Sequence, residues 1–133
     1  MQLSNLRILY IEDHDDTREL VTIILRQNDY DVITGTTIED GIHLARSGAF
    51  DLYLLDSWLP DGSGLDLCKR IREFDPLTPI LFYSAAAYEA DRAEALESGA
   101  QGYLVKPSQT SDLCSLVSQL IETRPSALAA TRC

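Results

Sequence analysis

A doubly wound α/β sandwich, with one parallel sheet covered by helices on both faces, is predicted by three features of this chain. Five short apolar runs alternate with five stretches of helical periodicity along nearly its whole length. The runs are mostly continuous rather than alternating, as in strands buried on both faces. The length of 133 residues suffices for one domain with a real core and is too short for two.

Taken in order, Arg7–Ile11 reads as the first strand. Leu20, Ile23, Ile24 and Gln27 mark a helix over Asp15–Gln27, with Asp15 or Asp16 as its N-cap. Asn28-Asp29 breaks that helix, and residues 31–34 form a short second strand. Thr37 caps a helix through Arg46 whose apolar side is Ile38, Ile42 and Ala45, and Gly48 stops it. Residues 51–55 are the third strand, followed by the loop Leu59-Pro60-Asp61-Gly62-Ser63-Gly64. Residues 65–74 are helical on Leu67, Ile71 and Phe74, and Pro76 and Pro79 frame the turn into a fourth strand at 80–83. Residues 87–97 form an Ala-rich, weakly apolar helix ended by Gly99, and Gly102–Val105 is the last strand. Leu113, Leu116, Val117, Leu120 and Ile121 make a strong amphipathic stripe that stops at Arg124-Pro125. Right-handed crossovers and a switch point between the first and third strands give the flavodoxin-like (βα)5 order 2-1-3-4-5, a three-layer sandwich. Residues 1–123 are expected to form the domain, and 124–133 a tail or linker stub.

The composition is that of ordinary globular material, 45% apolar and 24% charged, with a net charge of −10 and a pI near 4.4. Such a surface repels phosphate backbones and anionic lipid, so direct nucleic-acid or membrane binding is not expected. No apolar stretch approaches the roughly 18–20 residues that span a bilayer. The segment Met1-Gln2-Leu3-Ser4-Asn5-Leu6-Arg7 lacks a signal-peptide pattern, which makes the cytoplasm the expected compartment. Cys68, Cys114 and Cys133 are odd in number and widely spaced, which argues against disulfides and zinc. Cys68 lies beside the Leu67/Ile71 stripe, where a thiol acts as a small hydrophobe.

Four of the apolar runs finish on residues suited to phosphate or metal chemistry: Glu12-Asp13, Asp56, Ser84 and Lys106-Pro107. Ligands of open α/β sheets sit outside the carboxyl ends of the strands, so these residues are predicted to meet in one crevice. An acidic pair alone would be an ordinary solvated loop or helix start; convergence of all four strand ends is what points to a site. Three carboxylates so close repel one another, a conflict that a hard divalent cation such as Mg²⁺ resolves. A carboxylate beside such a cation can attack a phosphoryl group and form an acyl phosphate, while Lys106 and the Ser84 hydroxyl neutralise its oxygens.

With these motifs in view, residues from about Leu6 to Glu122 resemble a response-regulator receiver domain of two-component signalling, of the chemotaxis-regulator type. The likeness is carried by Glu12-Asp13, the stretch Leu54-Leu55-Asp56-Ser57-Trp58-Leu59-Pro60-Asp61-Gly62-Ser63-Gly64, Ser84-Ala85, and Gly99-Ala100-Gln101-Gly102-Tyr103-Leu104-Val105-Lys106-Pro107. The resemblance implies that Asp56 is the phosphoacceptor. Glu12, Asp13, Asp56 and the Trp58 backbone carbonyl are then the Mg²⁺ ligands, direct or through water, with Mn²⁺ able to substitute. Ser84 is implied as the conformational hydroxyl, Tyr103 as the rotating aromatic, Lys106 as the phosphate-binding cation, and Lys106-Pro107 as a cis peptide. The implied partners are a sensor histidine kinase or phosphotransfer protein and a downstream target. A homodimer through the face of the fourth helix, fifth strand and fifth helix is also implied. The protein is then a self-phosphorylating and self-dephosphorylating switch in a phosphorelay rather than an enzyme. Trp58 and Ala86 stand where some fast-cycling receivers carry polar side chains, so no group there orients an attacking water and a long-lived acyl phosphate is expected. The alternative role for Trp58 is packing over the loop.

Two other readings are tied to particular residues. Asp13-His14-Asp15-Asp16-Thr17 fits the Asp-x-Asp-x-Thr pattern of haloacid-dehalogenase-like phosphatases, but that reading leaves Asp56 unexplained and finds no further acidic site beyond Lys106 except Asp112. Within the receiver reading, the chain is a fragment of a hybrid kinase or DNA-binding regulator, or stands alone. Ser108 in place of the usual Phe, and the absence of an Arg-bearing final helix, favour the stand-alone form. His14 is read as an incidental titrating side chain beside the acidic pocket.

Overall fold

The computed structural model describes residues 5–107 and 109–125. Strands β1 (Arg7–Ile11), β2 (Asp31–Gly35), β3 (Leu52–Leu55), β4 (Ile80–Ser84) and β5 (Gly102–Val105) form one parallel sheet in the order β2-β1-β3-β4-β5. This is the predicted flavodoxin-like topology. Helices α1 (Asp15–Gln27), α2 (Ile38–Ser47), α3 (Gly64–Arg72), α4 (Glu89–Glu97) and α5 (Leu113–Glu122) cover it, the last preceded by a 3₁₀ turn at Thr110–Asp112.

Because successive strand side chains point to opposite faces, the sheet builds two separate cores. Leu9, Ile11, Tyr53, Leu55, Phe82 and Tyr103 pack with α2, α3 and Ala95 of α4. Ile8, Tyr10, Leu52, Leu54, Leu81 and Leu104 pack with Val21 and Leu25 of α1 and with Leu113, Val117 and Ile121 of α5. Fully burying side chains of this size contributes about 1.5–3 kcal/mol each, which explains why the runs are unbroken.

Several local expectations are corrected. The apolar stripe of α1 that faces the sheet is Val21 and Leu25, while Leu20 and Ile23 are exposed. The helix carries apolar residues on two faces, and only sheet packing chooses between them. Its N-cap is His14, whose Nδ1 accepts from the Thr17 N–H at 3.2 Å, while Asp15 and Asp16 occupy the first turn. The imidazole thus has a structural task beside the pocket. Helix α3 begins at Gly64, capped by the Ser63 hydroxyl, and ends at Arg72, leaving Phe74 beyond it under the Arg46 guanidinium. Helix α4 begins at Glu89, where the Asp91 carboxylate accepts from the Tyr88 N–H. The loop after β3 contains an unforeseen hairpin of two-residue strands, Trp58–Leu59 and Gly62–Ser63.

Cys68 is fully buried with its thiol on the Ser98 carbonyl, in keeping with its role as a small hydrophobe. Arg124 pairs with Asp51 at 3.1 Å, but 126–133, and hence most of the expected tail, lies outside the described residues, as do Ser108 and Cys133. Among the described residues, no helix is long and apolar enough to cross a membrane.

Candidate phosphoacceptor and metal site

Backbone bonds carry the sheet's alignment one residue past the strand ends. The Glu12 N–H donates to the Gly35 carbonyl at 3.0 Å, Asp56 to Ile11 at 3.1 Å, and Lys106 to Ser84 at 2.8 Å. Residues 12, 56, 84 and 106 are thereby brought to one edge of the sheet. They line a cleft of about 980 Å³ together with Asp13, His14, Thr17, Trp58, Ala85–Ala87, Tyr88 and Asp91.

Carboxylate oxygens of Glu12, Asp13 and Asp56 lie within 4.8 Å of one another. Glu12 is fully buried and Asp56 nearly so, while Asp13 is exposed. Glu12 is held from several sides: the Tyr10 hydroxyl donates to its Oε1 at 3.3 Å, the His14 N–H to its Oε2 at 3.3 Å, and Lys106 Nζ to its Oε1 at 2.5 Å. Asp56 Oδ1 accepts from the Ser57 N–H at 2.8 Å, and its Oδ2 lies 3.6 Å from Lys106 Nζ. Burial, and then the charge of Glu12, push the Asp56 carboxyl up to about 7 against the pull of Lys106. One lysine does not offset three clustered acids, two of them buried. An all-oxygen donor set with surplus negative charge fits a hard divalent cation.

Ser84 is buried, and its Oγ accepts from the Ala86 N–H at 3.1 Å. The Tyr103 ring is buried against Phe82, with centroids 5.9 Å apart, and its hydroxyl donates to the Ala86 carbonyl at 2.7 Å. The Lys106-Pro107 peptide is cis. Trp58 is 75% exposed and lines the cleft. Asp13 and Thr17 of the phosphatase-like pattern line the cleft, but Asp15 is drawn to Arg18 at 2.6 Å, outside the carboxylate cluster, and Thr17 Oγ1 bonds His14, so the pattern is incomplete there.

Three contributors escaped the sequence reading. Arg18 Nη1 donates to the Glu12 carbonyl at 2.9 Å and braces the acidic loop. Tyr88, 82% exposed, forms part of the rim. Asp61 bonds the first turn of α2. Only the Arg three residues after Asp15 carried a local signal, as an i,i+3 ion pair; the other two depend on where loops end up.

Comparison with known proteins agrees with this geometry. The profile of the response regulator receiver domain matches residues 8–118. The transcriptional regulatory protein DltR of Streptococcus agalactiae is 34% identical over 123 residues, which cover 92% of this chain and 54% of DltR. The chain thus spans about half the length of the curated relatives it matches. The non-phosphorylated HemR receiver domain from Leptospira biflexa is 35% identical with a TM-score of 0.83, covering 91% of this chain and 98% of that one. The response regulator TrrA from Thermotoga maritima, solved in complex with Mg²⁺-BeF, is 30% identical with a TM-score of 0.79, covering 86% and 98%.

Proposed function

The chain belongs to the response regulator receiver domain family, and on that premise we propose that it accepts a phosphoryl group on Asp56 in a Mg²⁺-dependent reaction. The observation that carries the reading is the packing of Glu12, Asp13 and Asp56 within 4.8 Å of one another, with the Lys106 ammonium against two of them. The donor is the phosphohistidine of a sensor histidine kinase or phosphotransfer protein. An Asp56 oxygen bonds to phosphorus as the P–N bond breaks, and the electron pair leaves with the protonated imidazole.

Glu12, Asp13, Asp56 and the Trp58 carbonyl would hold the cation, directly or through water, Mg²⁺ or in its place Mn²⁺. Bound there, it keeps the carboxylates ionised and neutralises charge on the transferring group. Lys106 swings from Glu12 to a phosphoryl oxygen, and Ser84 gives up its bond from Ala86 to donate to another; each charge-assisted bond is worth about 1.5–3 kcal/mol. The product is a signalling state, not a released substrate, so the protein is a switch rather than an enzyme. Its output is a changed contact with a downstream protein, or a homodimer, through the face of α4, β5 and α5, and it operates in the cytoplasm without touching nucleic acid itself.

The test is intact-mass analysis after incubation with a small phosphodonor and Mg²⁺. One acid- and hydroxylamine-sensitive phosphoryl group is expected, absent in Asp56→Asn and absent without the cation. Persistence of the label in Asp56→Asn overturns the assignment.

A further inference from the structure

We propose that Asp61 is a positioning residue for the divalent-cation site, acting by clamping the loop that follows Asp56 onto the first turn of α2. The inference rests on the reading that this pocket takes Mg²⁺, and it adds a residue outside the pocket. Asp61 Oδ1 accepts from the Ile38 N–H at 2.7 Å and Oδ2 from the Glu39 N–H at 3.2 Å, across 23 and 22 residues of chain. The next two N–H groups of α2 are satisfied locally, Asp40 by the Thr37 hydroxyl and Gly41 by the Thr37 carbonyl. Two of the four orphan donors of this helix start are thus served by a residue from the acceptor loop.

Leu59 anchors the loop by burial in the core, but among the described residues its tip has little else in the way of polar contacts to hold it. Its base is closed by the Gly64 N–H on the Ser57 carbonyl at 2.8 Å, and a Cβ at Gly64 would lie 2.0 Å from the Asp56 carbonyl oxygen. Between base and tip are only two pairs, Trp58 with Ser63 and Leu59 with Gly62. So short a hairpin has no independent stability, and its position is set by what it is tied to. Gly62 adopts a φ of +147° and sits against Ile38, where a Cβ would come within 2.8 Å of Cδ1. Together with the buried Leu59, the clamp therefore fixes the course of residues 57–62, including the Trp58 carbonyl assigned to the cation. The Ile38 and Glu39 N–H groups also hold the Asp61 carboxyl below the usual carboxylate range, with a smaller contribution from the facing Arg70, itself paired with Glu39.

The experiment is a Mg²⁺ titration followed by fluorescence of Trp58, the single tryptophan of the chain, on the wild type, Asp61→Asn, Asp61→Ser and Asp61→Ala. Thermal unfolding without Mg²⁺ is measured in parallel, and titrations are run where circular dichroism shows all four folded. Asp61→Ala is expected to weaken Mg²⁺ about tenfold, the low end for groups that orient metal ligands. Asp61→Asn, which keeps an acceptor for the Ile38 N–H, recovers most of that loss, and Asp61→Ser, with its shorter reach, recovers less. Asn as weak as Ala overturns the clamp in favour of simple charge, and Ala or Ser equal to wild type overturns it outright. If Ala does not fold, Ser against Asn decides. A wild type without any Mg²⁺ response instead overturns the cation reading, and this inference falls with it.

Discussion

Lys106 lies against Glu12, its Nζ 2.5 Å from Oε1, and only 3.6 Å from Oδ2 of Asp56. The ammonium sits where it partly neutralises the carboxylate cluster, so it competes with a divalent cation before any phosphoryl group arrives. Lys106→Ala is therefore expected to tighten Mg²⁺ binding by on the order of tenfold, since a positive charge a few ångströms away is removed. The same variant is expected to slow phosphorylation of Asp56 by at least about tenfold, because a donor for the developing oxyanion charge is lost. Calorimetric Mg²⁺ titration and mass-detected labelling check the two halves. Weaker Mg²⁺ binding in the variant would show that the lysine supports the cation rather than opposing it.

The elevated Asp56 carboxyl carries a stability prediction. Its native value near 7 stands above the ~3.9 of an unfolded aspartate. Between those limits the folded protein binds a proton that the unfolded chain has released. Stability of the metal-free protein therefore falls as pH rises from roughly 4 to 7, then levels off. Solvent access and the coupling to Glu12 reduce the effect to on the order of 1–2 kcal/mol. Urea unfolding at stepped pH measures it, and Asp56→Asn should flatten the slope. A metal-free wild type that gains stability relative to Asp56→Asn across this window would refute the linkage.

Switching is predicted to run through Ala86, which joins the Ser84 hydroxyl on its N–H to the Tyr103 hydroxyl on its carbonyl. If Ser84 turns to a phosphoryl oxygen, Ala86 loses its acceptor and Tyr103 its anchor together. Beryllofluoride with Mg²⁺ should then alter amide exchange over α4, β5 and the start of α5. A swing from 1:99 to 99:1 needs about 5.5 kcal/mol, which two charge-assisted contacts can supply. In Ser84→Ala most of that response should vanish; an undiminished response would break the proposed coupling while leaving the acceptor assignment intact.

The rim bears on phosphoryl lifetime. Trp58, Ala85, Ala86 and Ala87 line the cleft that holds Asp56 without a carboxylate or amide side chain among them. Placing Glu at 86 or Asn at 58 supplies a group to orient water, and decay of the acyl phosphate should quicken by about tenfold, a modest share of what positioned acid–base groups contribute. Decay followed by intact mass tests this. Unchanged lifetimes in both variants would mean that water is already oriented by backbone groups.

Most of the architecture was legible because it rests on local periodicity. β1 and β5 match their predicted bounds, and Ile38, Ile42 and Ala45 turn inward on α2 as their spacing requires. Strand order followed from the handedness of the crossovers, and the site from residues that end strands, since a parallel sheet sends all its carboxyl ends to one edge. What periodicity could not choose was left to packing: Val21 and Leu25 rather than Leu20 and Ile23 face the sheet, because both sets are apolar and only the neighbouring elements discriminate. The exposed place of Trp58, the cap formed by His14, the brace of Arg18 on the Glu12 carbonyl and the clamp of Asp61 on α2 were likewise decided by tertiary structure. Each depends on where a loop lies in space, and a loop's course is fixed by partners distant in sequence, which no local pattern encodes.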